Sequence, residues 1–82
     1  MMAVVIITGE AKTNFDTIHQ LLENDKLTIT RRTSVIHYGQ DAIMLRIVGG
    51  ADNDVITLVT EALGVINRMY SGSGSIVGRV YN

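Results

Sequence analysis

Ser34-Val35-Ile36-His37-Tyr38-Gly39-Gln40-Asp41-Ala42-Ile43-Met44-Leu45-Arg46-Ile47-Val48 decides the architecture of this chain. Two apolar runs rich in β-branched residues flank a short polar interruption containing glycine, the pattern of a β-hairpin. A two-residue link, Gly39-Gln40, with glycine first, suits a type II′ turn. With Tyr38 opposite Asp41, Ile36 lies opposite Ile43, Val35 opposite Met44 and Thr33 opposite Arg46, and Ile43, Leu45 and Ile47 share one apolar face. Upstream, Leu27 and Ile29 fall on the other parity from Ile36, so a bulge or an end to regular pairing is expected between Thr30 and Thr33. Arg31 and Arg32 then point to opposite faces of the strand.

Outward from the hairpin, residues 3–8 form a continuous apolar run stopped by Gly9, a strand buried on both faces. Phe15, Ile18 and Leu22 recur at helical spacing, predicting a helix over about residues 13–24, with Thr13 and Asp16 as its capping box. After Gly49-Gly50, the candidate N-caps Asp52, Asn53 and Asp54 open a second helix that runs to about Met69. Its core stripe is Val55, Val59, Ala62, Ile66 and Met69, widened by Ile56, Leu58, Leu63 and Val65. Gly64 costs about 1 kcal/mol relative to Ala inside that helix, and close approach of a neighbouring element would account for it. Ser71-Gly72-Ser73-Gly74-Ser75 reads as a Gly/Ser loop, and residues 76–81 as a last strand. The resulting order, βαββαβ, is that of an α+β, ferredoxin-like fold: a four-stranded antiparallel sheet with two helices on one face.

With 82 residues there is room for one domain, residues 1–82, and one small core, and 46% hydrophobic content is that of a globular chain. The absence of cysteine excludes disulfides, thiolate metal sites, iron–sulfur clusters and a cysteine nucleophile, and points to a reducing compartment. Seven Lys+Arg against eight Asp+Glu, a net charge of −1, argue against a strong electrostatic footprint for nucleic acid. The first apolar run lacks a basic leader and is too short to span a membrane. A cytoplasmic chain with no membrane partner is expected.

Two helices cover one side of such a sheet, so the other side carries the functional information. By alternation it presents Met44, Arg46 and Val48, with Val35, Thr33 and Arg31 beside them, half of the first strand, and Arg79 with Tyr81. The first strand has no polar face, so a second copy of the chain, another protein or a ligand is expected to cover it. Met44, Arg46, Arg79 and Tyr81 are the candidate partner-binding residues, Arg and Tyr being frequent interface anchors.

Catalytic chemistry finds little support. His19 and Glu23, at i and i+4, share a helix face, but a metal site needs further ligands, so neither a metal nor another cofactor is expected. There is no Gly-x-Ser-x-Gly elbow, and Asp52 and Asp54 are explained as caps. A small oligomeric enzyme using His19 or His37 as acid/base is the least favoured alternative. Gly9 and Lys12 before the first helix, and Ser73 and Gly74 between Arg68 and Arg79, are candidate contacts for a small anionic effector through backbone amides. The central strands lack the aromatics on which an RNA-recognition motif stacks bases. In element order, with a glycine in the first strand-to-helix loop, Gly9, the chain resembles the ACT-like group of small regulatory domains. That resemblance implies paired subunits with an amino-acid-like effector bound at their boundary. The function expected is therefore a non-enzymatic homo-oligomeric binding or regulatory module, a dimer first. The alternative is a small inhibitor or accessory protein, of the sort carried by phages and mobile elements, that blocks a host protein's surface.

Overall fold

The computed structural model describes residues 2–50, 53–70 and 78–81. Seven elements follow in order: β1 (Met2–Ile7), α1 (Gly9–Thr13), α2 (Phe15–Leu22), β2 (Leu27–His37), β3 (Gln40–Gly49), α3 (Val55–Met69) and β4 (Arg79–Tyr81). The strands make one antiparallel sheet in the order β2-β3-β1-β4, which puts the two most apolar runs, β1 and β3, at its centre. Ala3, Val5 and Ile7 of β1 and Ile43, Leu45 and Ile47 of β3 pair residue by residue and bury one face against Phe15, Ile18 and Leu22 of α2 and Val55, Val59, Leu63 and Ile66 of α3.

Where two helices were expected there are three. The first helical stretch starts at Gly9 and is broken at Asn14, whose side-chain Nδ2 donates to the Glu10 carbonyl at 3.0 Å. An asparagine that bonds a local carbonyl competes with the helical ladder at that point. Thr13 therefore closes α1 instead of capping α2, and the expected Thr13/Asp16 box does not form. In α3 the cap is Asp54, whose carboxylate accepts the Thr57 amide (3.2 Å) and the Thr57 hydroxyl (2.6 Å). The stripe is corrected too: Leu63 is buried, while Ala62 is only half-buried and Met69 is exposed. Among the described residues nothing crowds Gly64, where a β-carbon would meet Arg68 Nη1 at 3.7 Å. The expected close approach occurs instead at Gly49, where a β-carbon would stand 2.7 Å from Val55 Cγ2. Of the expected last strand, residues 76 and 77 lie outside the described residues.

The hairpin turn is Tyr38-Gly39, one residue earlier than the expected Gly39-Gln40. Tyr38 (φ 49°) and Gly39 (φ 77°) are both left-handed, the requirement of a type I′ turn, and His37 pairs with Gln40. Ile36 consequently faces Asp41 instead of Ile43, Val35 faces Ala42 instead of Met44, and Arg31, not Thr33, faces Arg46. Partners move by two residues, an even number, so every side chain keeps its expected face. A register shift between Ile29 and Arg31 supplies the expected bulge, and the Thr30 hydroxyl donates across it to the Arg46 carbonyl at 3.3 Å. Arg31 and Arg32 do diverge: Arg31 lies beside Val4 and Met44, and Arg32 lies 4.0 Å over the Phe15 ring on the helical side.

Candidate functional site: the open face of the sheet

The pairing registers assemble the open face in cross-strand rows. Tyr81, Val4, Arg46 and Arg31 form one row across all four strands, and Arg79, Ile6, Met44 and Thr33 form the next. Met2, Val48 and Thr28 lie beyond the first row, while Ala42 with Val35 and then Gln40 with His37 continue beyond the second. Met44, Arg46, Arg79 and Tyr81 thus occupy one surface. Alternation alone put them there, since antiparallel partners share a face.

Charge is sorted between the two sides. Arg31, Arg46 and Arg79 stand on the open face, all exposed, and no Asp or Glu occupies that face among the described residues. None of these three arginines makes an ion pair with a described residue. Arg31 and Arg46 are direct cross-strand partners and, with Val4 and Met44, line a cavity of about 130 Å³. Like charges directly opposite one another are unfavourable in a sheet, so the pair is a feature that folding tolerates rather than one it needs.

Side chains of the two edge strands meet over this side of the sheet. Three inter-strand steps, roughly 14 Å of backbone, separate β2 from β4, yet the His37 and Tyr81 ring centroids are 6.5 Å apart with the rings at 74°. Tyr38 meets the same imidazole edge-on at 4.5 Å. Below these rings Ile6 is only 8% exposed, although it belongs to the uncovered face. A cavity of about 150 Å³ remains, lined by Ile6, Thr8, His37, Tyr38, Gln40 and Arg79. His37, Tyr38 and Gln40 were not singled out as binding residues in the sequence. The signal was the Tyr-Gly pair, whose left-handed turn brings a tyrosine to the hairpin tip.

The remaining candidates are not drawn together with these. Gly9 (φ 67°) and Lys12 are the start and the fourth residue of α1, not a loop before a helix, and Lys12 lines a shallow groove with Ser34, Ile36 and Asp41. A five-residue helix has too few aligned peptides to make an anion site at its end. Ser73 and Gly74 lie outside the described residues. His19 Nε2 meets Glu23 Oε2 at 2.9 Å on the exposed side of α2, and among the described residues no group of three His, Asp or Glu is placed to hold a metal. No described helix is long and apolar enough to cross a membrane. No family model matches the chain, and no curated protein or solved structure matches it.

Proposed function

We propose that this chain is a non-enzymatic binding module of the cytoplasm, a ferredoxin-like βαββαβ domain whose open sheet face docks an acidic surface of another protein. The strand order β2-β3-β1-β4, the same as β4-β1-β3-β2 read from the other edge, supports the fold. In it α1 and α2 together stand where one helix is usual. A single observation carries the function: three exposed arginines and, among the described residues, no Asp or Glu on one apolar-floored face, in a chain whose net charge is −1. Val4, Met44 and Val48 give the floor, and Arg and Tyr81 are side chains that anchor interfaces. A second copy seated two-fold on this face would set arginines against arginines with no Asp or Glu among the described residues of the face to pair them, so a foreign acidic partner is favoured there. An inhibitor or accessory protein would act in this way, by covering a host protein's surface.

The test is calorimetric titration with a Glu-rich peptide against the wild type and the Arg31→Glu/Arg46→Glu variant. Saturable binding that weakens with salt and is lost on charge reversal is expected. Binding that ignores the reversal overturns the proposal, as does tighter binding to a single-stranded oligonucleotide than to the peptide.

A homo-oligomer, a dimer first, is the second reading, and α3 is its surface. Val65 (40% exposed) and Met69 (53% exposed) stand one helical turn apart on that helix. Copies paired through α3 would leave the sheet face open. A monomer in sedimentation at micromolar concentration would overturn it.

A further inference from the structure

We propose that the cavity at the hairpin end is a binding site for a small planar carboxylate, an aromatic or otherwise unsaturated organic acid. It shares Arg79 with the proposed docking face but is testable apart from it, because neither Arg31 nor Arg46, the pair reversed in the docking test, lines the cavity.

Three features of this corner point to a ligand. The first is polar convergence. His37, Gln40 and Arg79 line the otherwise largely apolar cavity together with Thr8, and the side chains of the first three make no hydrogen bond or ion pair with a described residue. Few, unpaired polar groups around an apolar floor, here Ile6, are the usual make-up of a small-molecule pocket. The second is shape. The cavity's volume of about 150 Å³ suits a compact ligand, and two rings, His37 and Tyr38, stand along it at 79° to each other. A flat unsaturated body can lie against one ring and meet the edge of the other. The third is strain. Tyr38 is 87% exposed and holds φ at 49°, a conformation that bulky side chains rarely adopt. Asn or Gly would make the same turn at lower cost, so folding alone does not select tyrosine there, and a strained residue beside a pocket is a pointer to function.

Arg79 assigns the ligand's charge. Its planar fork donates two parallel hydrogen bonds to a carboxylate, and the Gln40 amide can donate to the same group. No described Asp or Glu lines the cavity to compete.

The test is a ¹H–¹⁵N correlation titration of the whole chain with sodium benzoate, with benzamide as the neutral isostere. Benzoate is expected to shift the amides of Ile6, Thr8, His37, Tyr38, Gln40 and Arg79 saturably in the millimolar range, and benzamide to bind at least about tenfold more weakly. Arg79→Gln, on the exposed edge strand, is expected to lower benzoate affinity by about tenfold or more while leaving the remaining spectrum in place. Tyr38→Asn keeps the turn and is expected to weaken binding severalfold. No saturable shift with benzoate would overturn the proposal. So would equal binding of benzamide, or an affinity that neither variant changes.

Discussion

Arg31 and Arg46 face each other across β2 and β3 on the open side of the sheet, with Thr30 held in the adjoining bulge by its bond to the Arg46 carbonyl. Two guanidinium groups in direct cross-strand register repel, and no Asp or Glu among the described residues of that face relieves them. Arg31→Glu turns the repulsion into an attraction. The variant is expected to be more stable than wild type by about 0.5 kcal/mol, a gain that shrinks in high salt. Urea denaturation at low and high ionic strength measures it. On the proposed docking role the same substitution is expected to weaken binding of an acidic peptide, the trade of stability for binding expected where surface charge serves a partner.

Tyr38 makes a comparable case in the backbone. A left-handed, non-glycine residue costs about 1–2 kcal/mol, less for Asn, whose short side chain suits that conformation. Tyr38→Asn creates the favoured Asn-Gly turn and is expected to raise stability by about 1 kcal/mol. Thermal unfolding reads the gain. A loss of stability instead would mean that the Tyr38 ring on His37 contributes more to the fold than its backbone costs.

Where period and composition are strong, the chain is readable without coordinates. The β1 run, the bulge near Thr30, the divergence of Arg31 and Arg32, and the open-face placement of Met44, Arg46, Arg79 and Tyr81 all follow from alternation, which depends only on parity. What fails is whatever needs a choice between near-equal local options. Gly39 can occupy the first or the second position of a two-residue turn, and that choice decides whether Arg46 meets Thr33 or Arg31. Asn14 can ride inside a helix or break it, and its own side-chain bond to Glu10 decides. The sorting of charge was hidden for another reason: a net charge is a sum over all faces, and near neutrality concealed a basic one.

Gly64 and Gly49 are expected to respond in opposite directions to the same change. Among the described residues a methyl group on Gly64 meets nothing outside its own helix backbone closer than 3.7 Å, so Gly64→Ala is expected to stabilise α3 by about 1 kcal/mol through helix propensity. At Gly49 the added carbon would stand 2.7 Å from Val55 Cγ2 and 3.3 Å from the Lys26 carbonyl oxygen. Overpacking of that kind costs about 2 kcal/mol, so Gly49→Ala is expected to lower the urea midpoint clearly. Destabilisation by Gly64→Ala would mean that the exposed side of α3 is occupied in solution, as a helix-mediated dimer requires.

The cap of α3 gives the fold a pH-dependent component. The Thr57 hydroxyl, and after it the Thr57 amide, hold the Asp54 carboxyl below its ordinary value of 3.8. Because the folded value is the lower one, this contribution is complete above the unfolded value and is lost as pH falls through the folded one. Asp54→Asn keeps a capping oxygen but cannot ionise. The stability difference between wild type and Asp54→Asn is therefore expected to be level above about pH 5 and to fall in favour of the variant towards about pH 2. Urea midpoints for both proteins across that window decide it. A difference that stays constant would mean that the carboxylate is no better held in the folded chain than in the unfolded one.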